Sequence, residues 1–120
     1  MNAITYQITE KDVEQYAVIS GDSNPIHLDK EAAKQQGFMN KIAHGMLTVA
    51  RMLSVLSNEI LTPHEFLSQY EFTFIAPVYV GDLVTLTIKQ TSKHNIRVEG
   101  KCREKIVVKG CLIVDRGNPR

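Results

Sequence analysis

The sequence has no surplus of either charge. Its 14 lysines and arginines balance 13 aspartates and glutamates, for a formal net charge of +1. Basic residues cluster nowhere, so the electrostatic footprint that nucleic acid needs is missing. A long apolar run is missing too. Glu10, Lys11, Asp12 and Glu14 fall where a secretory signal would need its hydrophobic core, and no later stretch stays apolar long enough to span a bilayer. A cytoplasmic protein without a membrane partner is expected. Cysteine is scarce: Cys102 and Cys111 lie in neighbouring strand-like runs that a turn near Glu104-Lys105 leaves out of register. No disulfide is expected, two thiols are too few for a zinc site, and buried reduced thiols are the plain reading. Repeats, low-complexity segments and linkers are also lacking, which leaves a 120-residue chain sized for a single domain over residues 1–120.

What is present divides into a helical first half and a stranded second half. Residues 3–8 read as a short strand, and Thr9 with Asp12 has the form of a capping box opening a helix through about Ile19. The stretch from Gly21 to Pro25 predicts a turn. Asp29 stands as an N-cap for a second short helix, Lys30 to Gln36, closed by Gly37. From Ala43 to about Glu59 there is no proline and most positions are apolar; only Thr48, Arg51 and Ser54 draw a narrow polar stripe at three-residue spacing. Such a helix belongs inside the protein. Its stripe suits a cavity lining, a subunit contact or a solvated face.

After Thr62-Pro63 the period drops to two. Tyr70, Phe72, Phe74 and Ala76 share one face, and Val84, Leu86 and Ile88 oppose Thr85, Thr87 and Lys89. Two more strands run from about His94 to Arg103 and from Ile106 to Val114, across turns at Ser92-Lys93 and Glu104-Lys105. The short connections favour antiparallel pairing. The fold class is α+β: an antiparallel sheet of about five strands curved around one apolar helix, each covering the other. The polar tail from Asp115 to Arg120 is expected to fray.

Ser20-Gly-Asp-Ser-Asn-Pro-Ile-His27 holds more than a turn requires. Gly, Asn and Pro supply the backbone angles; Asp22 and His27 add a carboxylate and an imidazole on one stiffened loop, a pair able to grip and deprotonate a water. The same residues suit a purely structural role, Asp22 closing an Asx turn and His27 filling a buried slot. Gly45 stands at the start of the apolar helix, where unpaired N–H groups and the helix dipole favour a developing negative charge, and where a missing side chain admits a carbonyl. Tight packing alone also explains a glycine there. His44 with Asp22 and His27 lacks the regular spacing of a metal site and reads as structural; His64 and His94 read as surface residues.

Three ordered stretches carry a family resemblance: Tyr16-Ala-Val-Ile-Ser-Gly-Asp-Ser-Asn-Pro-Ile-His27, Ile42-Ala-His-Gly-Met-Leu47 and Phe74-Ile-Ala-Pro-Val-Tyr-Val-Gly-Asp-Leu-Val84. Together they resemble the MaoC-like, R-specific enoyl-CoA hydratase family. The resemblance implies a hot-dog fold, homodimers with active sites at the subunit interface, and reversible syn hydration of a trans-2-enoyl thioester to the (3R)-3-hydroxyacyl thioester. It implies that Asp22 and His27 activate the water, that Asn24 belongs to the substrate-binding set by holding the loop and the pocket's polar groups in place, and that the Gly45 N–H bonds the thioester oxygen. No metal or redox cofactor is implied. Coenzyme A is the usual carrier, with an acyl-carrier-protein thioester also open. Short loops before Ala43 and around residues 58–65 favour a short acyl group. Two other activities fit such a fold: thioester hydrolysis directed by Asp22, and non-catalytic binding of an acyl thioester.

Overall fold

The computed structural model describes residues 2–117. Strand β1 (Asn2–Gln7) leads into helix α1 (Glu10–Ser20) through the anticipated capping box. The Thr9 hydroxyl accepts the Asp12 N–H at 3.1 Å and the Asp12 carboxylate accepts the Thr9 N–H at 3.0 Å, an arrangement worth about 1 kcal/mol. Gly21, at φ 78°, ends the helix and donates its N–H to the Ala17 carbonyl. Where only a turn was expected, a further single-turn helix α2 (Pro25–Leu28) follows, with Asn24 as its cap and Pro25 at the first helical position. Helix α3 (Lys30–Gln35) starts on the Asp29 cap as expected.

Helix α4 (Gly45–Val55) begins two residues later than the sequence pattern predicts, and from Leu56 to Ile60 it widens into a π turn closed by the Leu61 N–H on the Leu56 carbonyl. That wider turn keeps Leu56 wholly buried while Ser57, Asn58 and Glu59 face water.

The second half forms β2 (Glu65–Phe74), β3 (Leu83–Gln90), β4 (Asn95–Cys102) and β5 (Lys105–Arg116), in an antiparallel sheet of order β1-β3-β4-β5-β2. Alternation puts Val84, Leu86, Val98 and Leu112 on its inner face, in one core with Leu47, Met52 and Leu56 of α4. Burying each of these aliphatic side chains contributes about 1.5–3 kcal/mol. Alternation breaks at Val107. A bulge opposite Gly100-Lys101 buries both Val107 and Val108, and the Val107 carbonyl accepts the N–H groups of Ile75 and Ala76 just past β2.

Several expectations need correction. Strand β2 lies at the sheet edge with no fully buried residue. Tyr70, Phe72 and Phe74 do share the inner face, paired with Leu112, Gly110 and Val108. Tyr70 and Phe74 are nonetheless about half exposed, at 51% and 52%, on a strand with no neighbour on its outer side. The β4–β5 turn falls at Arg103-Glu104, one residue early, both with positive φ. Cys102 is buried, and burial pushes its thiol up to about 11, with the Asp82 carboxylate adding to the rise. Cys111 faces out of the sheet and is exposed, so it is free but not buried. Asp115 and Arg116 continue β5 instead of fraying; Asn118, Pro119 and Arg120 lie outside the described residues.

Candidate active site

The loop after α1 is built from local side-chain to backbone bonds. The Ser20 hydroxyl accepts the Asp22 N–H at 3.1 Å, Asp22 Oδ1 accepts the Asn24 N–H at 3.2 Å, and Asn24 Oδ1 accepts the Ile26 N–H at 3.2 Å. The Asx turn anticipated as the structural role of Asp22 is therefore present. It occupies only Oδ1, and among the described residues nothing bonds Oδ2. Asn24 holds the loop, as expected, by capping α2.

That single turn carries His27 inward, to 7% exposure. Its Nδ1 lies 2.7 Å from the Ile42 carbonyl. A carbonyl only accepts, so Nδ1 carries the proton and the neutral ring keeps a bare Nε2. His44 meets the pair from the other side: its Nε2–H donates to the Asp22 carbonyl at 2.9 Å, and its ring stacks on His27 with centroids 3.8 Å apart and planes 23° apart. Donor atoms of Asp22, His27 and His44 lie within 4.8 Å of one another. Nearly parallel rings aim their nitrogen lone pairs side by side, not at one point, which is poor geometry for a shared cation.

These groups border a cleft of about 660 Å³, within the range of small-molecule sites. Gly45 and Met46 form one edge, and Phe74, Val78, Val107 and Val108 supply an apolar wall opposite. At the start of α4 the His44 carbonyl takes the N–H groups of Leu47 and Thr48. Among the described residues the N–H groups of Gly45 and Met46 have no partner, so a positive helix end faces the cleft. A Cβ on Gly45 would come within 2.9 Å of the Phe74 ring. The glycine thus serves both packing and access.

The polar stripe on α4 splits three ways. Thr48 is buried beside the cleft, and its Oγ1 has no partner among the described residues. Arg51 turns away, bonding Asp12 at 2.8 Å and the Gln7 carbonyl at 3.1 Å, with its guanidinium 4.9 Å above the Tyr6 ring. Ser54 is exposed. Burial favours the neutral Asp12 carboxyl, but the Thr9 N–H, the Thr9 hydroxyl and the Arg51 guanidinium outweigh it and hold Asp12 below the usual carboxylate range. Burial likewise pushes the Tyr6 phenol up, against the nearby Arg51 charge, while its O–H donates to the Thr48 carbonyl.

Of the residues singled out in the sequence, Asp22, His27 and Gly45 line this cleft; Asn24, expected at the pocket as well, does not line it and acts through the α2 cap, while His44, read as structural, does line it. The signal for His44 was its place: an imidazole at a helix N-cap, where Ser, Thr, Asp or Asn is usual.

A family described as MaoC like domain matches residues 2–110 of the chain. The protein belongs to the MaoC-like family. An (R)-specific enoyl-CoA hydratase of Rhodospirillum rubrum is 36% identical over 84 residues, covering 70% of this chain and 58% of that protein. A second (R)-specific enoyl-CoA hydratase, from Aeromonas caviae, is 32% identical over 106 residues, covering 88% of this chain and 79% of that one. The chain thus spans little more than half the length of the Rhodospirillum relative. The solved structure of an (R)-hydratase from A. caviae, involved in PHA biosynthesis, superimposes with a TM-score of 0.88 at 24% identity, over 97% of this chain and 93% of that one. The sheet curved around α4 is the hot-dog fold of these MaoC-like proteins. Among the described residues no helix is long and apolar enough to cross a membrane.

Proposed function

We propose that this MaoC-like protein is a hydro-lyase of fatty acid metabolism that adds water reversibly to a trans-2-enoyl-CoA, giving the (3R)-3-hydroxyacyl-CoA. One observation carries the reading: the Asp22 carboxylate and the His27 ring face the same cleft as the free helix end at Gly45. In this reading the Gly45 N–H binds the thioester oxygen, which polarises the conjugated double bond. A water held between Asp22 and the bare Nε2 of His27 attacks C3. The C2=C3 electrons move toward the thioester oxygen as an enolate, stabilised by the helix end. The proton that the water loses returns to C2 on the same face through the Asp22–His27 pair, so the addition is syn. Overall one water is added and no redox cofactor enters; coenzyme A is the substrate's carrier.

A short acyl chain, suggested by the short loops before Ala43 and around residues 58–65, and a cytoplasmic setting are part of the reading. So is a homodimer. Phe66, Tyr70, Phe74 and Ile75 sit at or just past the open edge strand β2, each 49–52% exposed, and a partner paired along that edge would cover them. Sedimentation velocity tests this, and a monomer throughout the micromolar range would sink it.

The reaction is tested by the loss of conjugated-thioester absorbance with crotonyl-CoA, run beside Asp22→Asn and with the product's configuration assigned. Formation of the (3R)-hydroxy product by the wild type and none by the variant supports the assignment. Near wild-type turnover by Asp22→Asn overturns it, and thiol release from a saturated acyl-CoA would point to hydrolysis instead.

A further inference from the structure

We propose that His44 is a positioning residue: one imidazole that contacts both members of the Asp22–His27 pair and fixes their relative geometry. The inference rests on the hydratase reading above. His44 is the N-cap of α4, yet its side chain makes no cap bond to its own helix. The ring reaches instead to the Asp22 carbonyl, 22 residues earlier in the chain, while one face lies 3.8 Å from His27 and Tyr16 packs against it edge-on at 4.9 Å.

Packing alone does not account for an imidazole in this slot. His44 is 3% exposed and its Nδ1 is buried with no partner among the described residues. A desolvated, unpaired acceptor is destabilising, and a phenyl ring of similar outline would avoid it. The chemical reason for histidine lies in its other nitrogen. With that bond the Asp22 peptide is held at both ends, its N–H on Ser20 and its carbonyl on His44, while Asn24 holds Oδ1. Backbone and carboxylate of Asp22 are then both tied, and of its polar atoms only Oδ2 is left without a partner among the described residues. The stack fixes the plane of His27, whose Nδ1–H is already tied to Ile42. A water gripped by both groups therefore sits at one place relative to Gly45.

Three substitutions separate these contacts. His44→Phe keeps a stacked ring and removes the donor; His44→Gln keeps a donor near the position of Nε2; His44→Asn is too short to reach Asp22. With crotonyl-CoA, kcat of His44→Phe is expected to fall about a hundredfold with KM little changed, the usual size of a misplacement effect. His44→Gln is expected to exceed His44→Asn several-fold. In an Asp22→Asn background, assayed at high enzyme concentration, His44→Phe is expected to add little further loss, because a positioning residue acts through the group it positions. Wild-type kcat in His44→Phe, equal rates for the Gln and Asn variants, or equal penalties in both backgrounds would each overturn the role. If His44→Phe does not fold, the Gln–Asn contrast decides alone. Failure of the hydratase reading looks different: the wild type itself would turn over no enoyl thioester.

Discussion

Replacing Gly45 with alanine separates the stability of the helix start from its chemistry. A Cβ at Gly45 comes 2.9, 3.0 and 3.3 Å from three atoms of the Phe74 ring, against an ordinary carbon contact of about 3.5–4.0 Å. The ring must move by several tenths of an ångström, and it can, because Phe74 is 52% exposed on an edge strand. Overpacking in a closed core costs about 1–3 kcal/mol, so this half-open site falls at the low end. Alanine regains up to about 1 kcal/mol of helix propensity over glycine. The two effects nearly cancel, and the melting temperature is expected to shift by less than about 4 °C. Activity does not share in the cancellation. The new methyl and the displaced ring crowd the N–H assigned to the thioester oxygen, and loss of one such donor lowers kcat by about a hundredfold or more. Crotonyl-CoA hydration and a thermal melt on the same samples check both numbers. A folded Gly45→Ala protein with wild-type kcat/KM would refute the oxyanion role, and activity falling only in step with stability would assign the glycine to packing alone.

Three smaller predictions test the frame around the site. Asp12→Ala removes the capping box and the Arg51 bond and is expected to destabilise the protein by about 1–2 kcal/mol at neutral pH. The Asp12 carboxyl is held low in the folded state, so its contribution is complete above the unfolded value near 4 and fades as pH falls through the folded one; a gap between wild type and variant that stays constant in acid titrations would contradict this. Tyr6→Phe leaves the Thr48 carbonyl without the phenol donor and is expected to lower stability by about 1 kcal/mol in urea unfolding; an unchanged midpoint would show the bond to be idle. A thiol reagent at pH 8 is expected to label Cys111 and spare Cys102, which is buried with a raised pKa. Rapid labelling of both cysteines in the native protein would contradict that order.

The elements whose signals are local were legible in the sequence. The Thr9–Asp12 box, the Asp29 cap and the alternation in β3 each depend on neighbours a few residues away, and each falls where the pattern predicts. Features set by distant chain did not show. The exposure of Tyr70 and Phe74 follows from β2 being an edge strand, which no pattern within β2 encodes. Cys111 alternates correctly but onto the outer face, because the bulge opposite Gly100-Lys101 shifts the β4–β5 register by one residue and flips the rest of β5. At the site, Asp22, His27 and Gly45 were readable because each stands beside a turn or helix start. His44 was not, because its partners lie 17 and 22 residues back along the chain.

The three motif stretches occur together because they hydrogen-bond to one another. Residues 41–43 form a strut between them: the Ile42 N–H donates to Ile26 and the Ile42 carbonyl takes His27 Nδ1–H on one side. On the other side the Ala43 N–H reaches Val78 and the Lys41 carbonyl takes the Val80 N–H. Asp82 is the carboxylate of the third stretch. Its oxygens are spent on the Tyr79 N–H at 2.9 Å and on Arg103 at 2.7 Å, and it does not line the cleft. The third stretch therefore contributes Phe74 and Val78 to the wall and a braced turn to the strut, but no proton-transfer group. The orientation of His27, fixed in α2, thus depends on a turn more than fifty residues away. An Asp–His pair alone is a weak signal for this chemistry; the pair together with the stretch that braces its histidine is a structural unit.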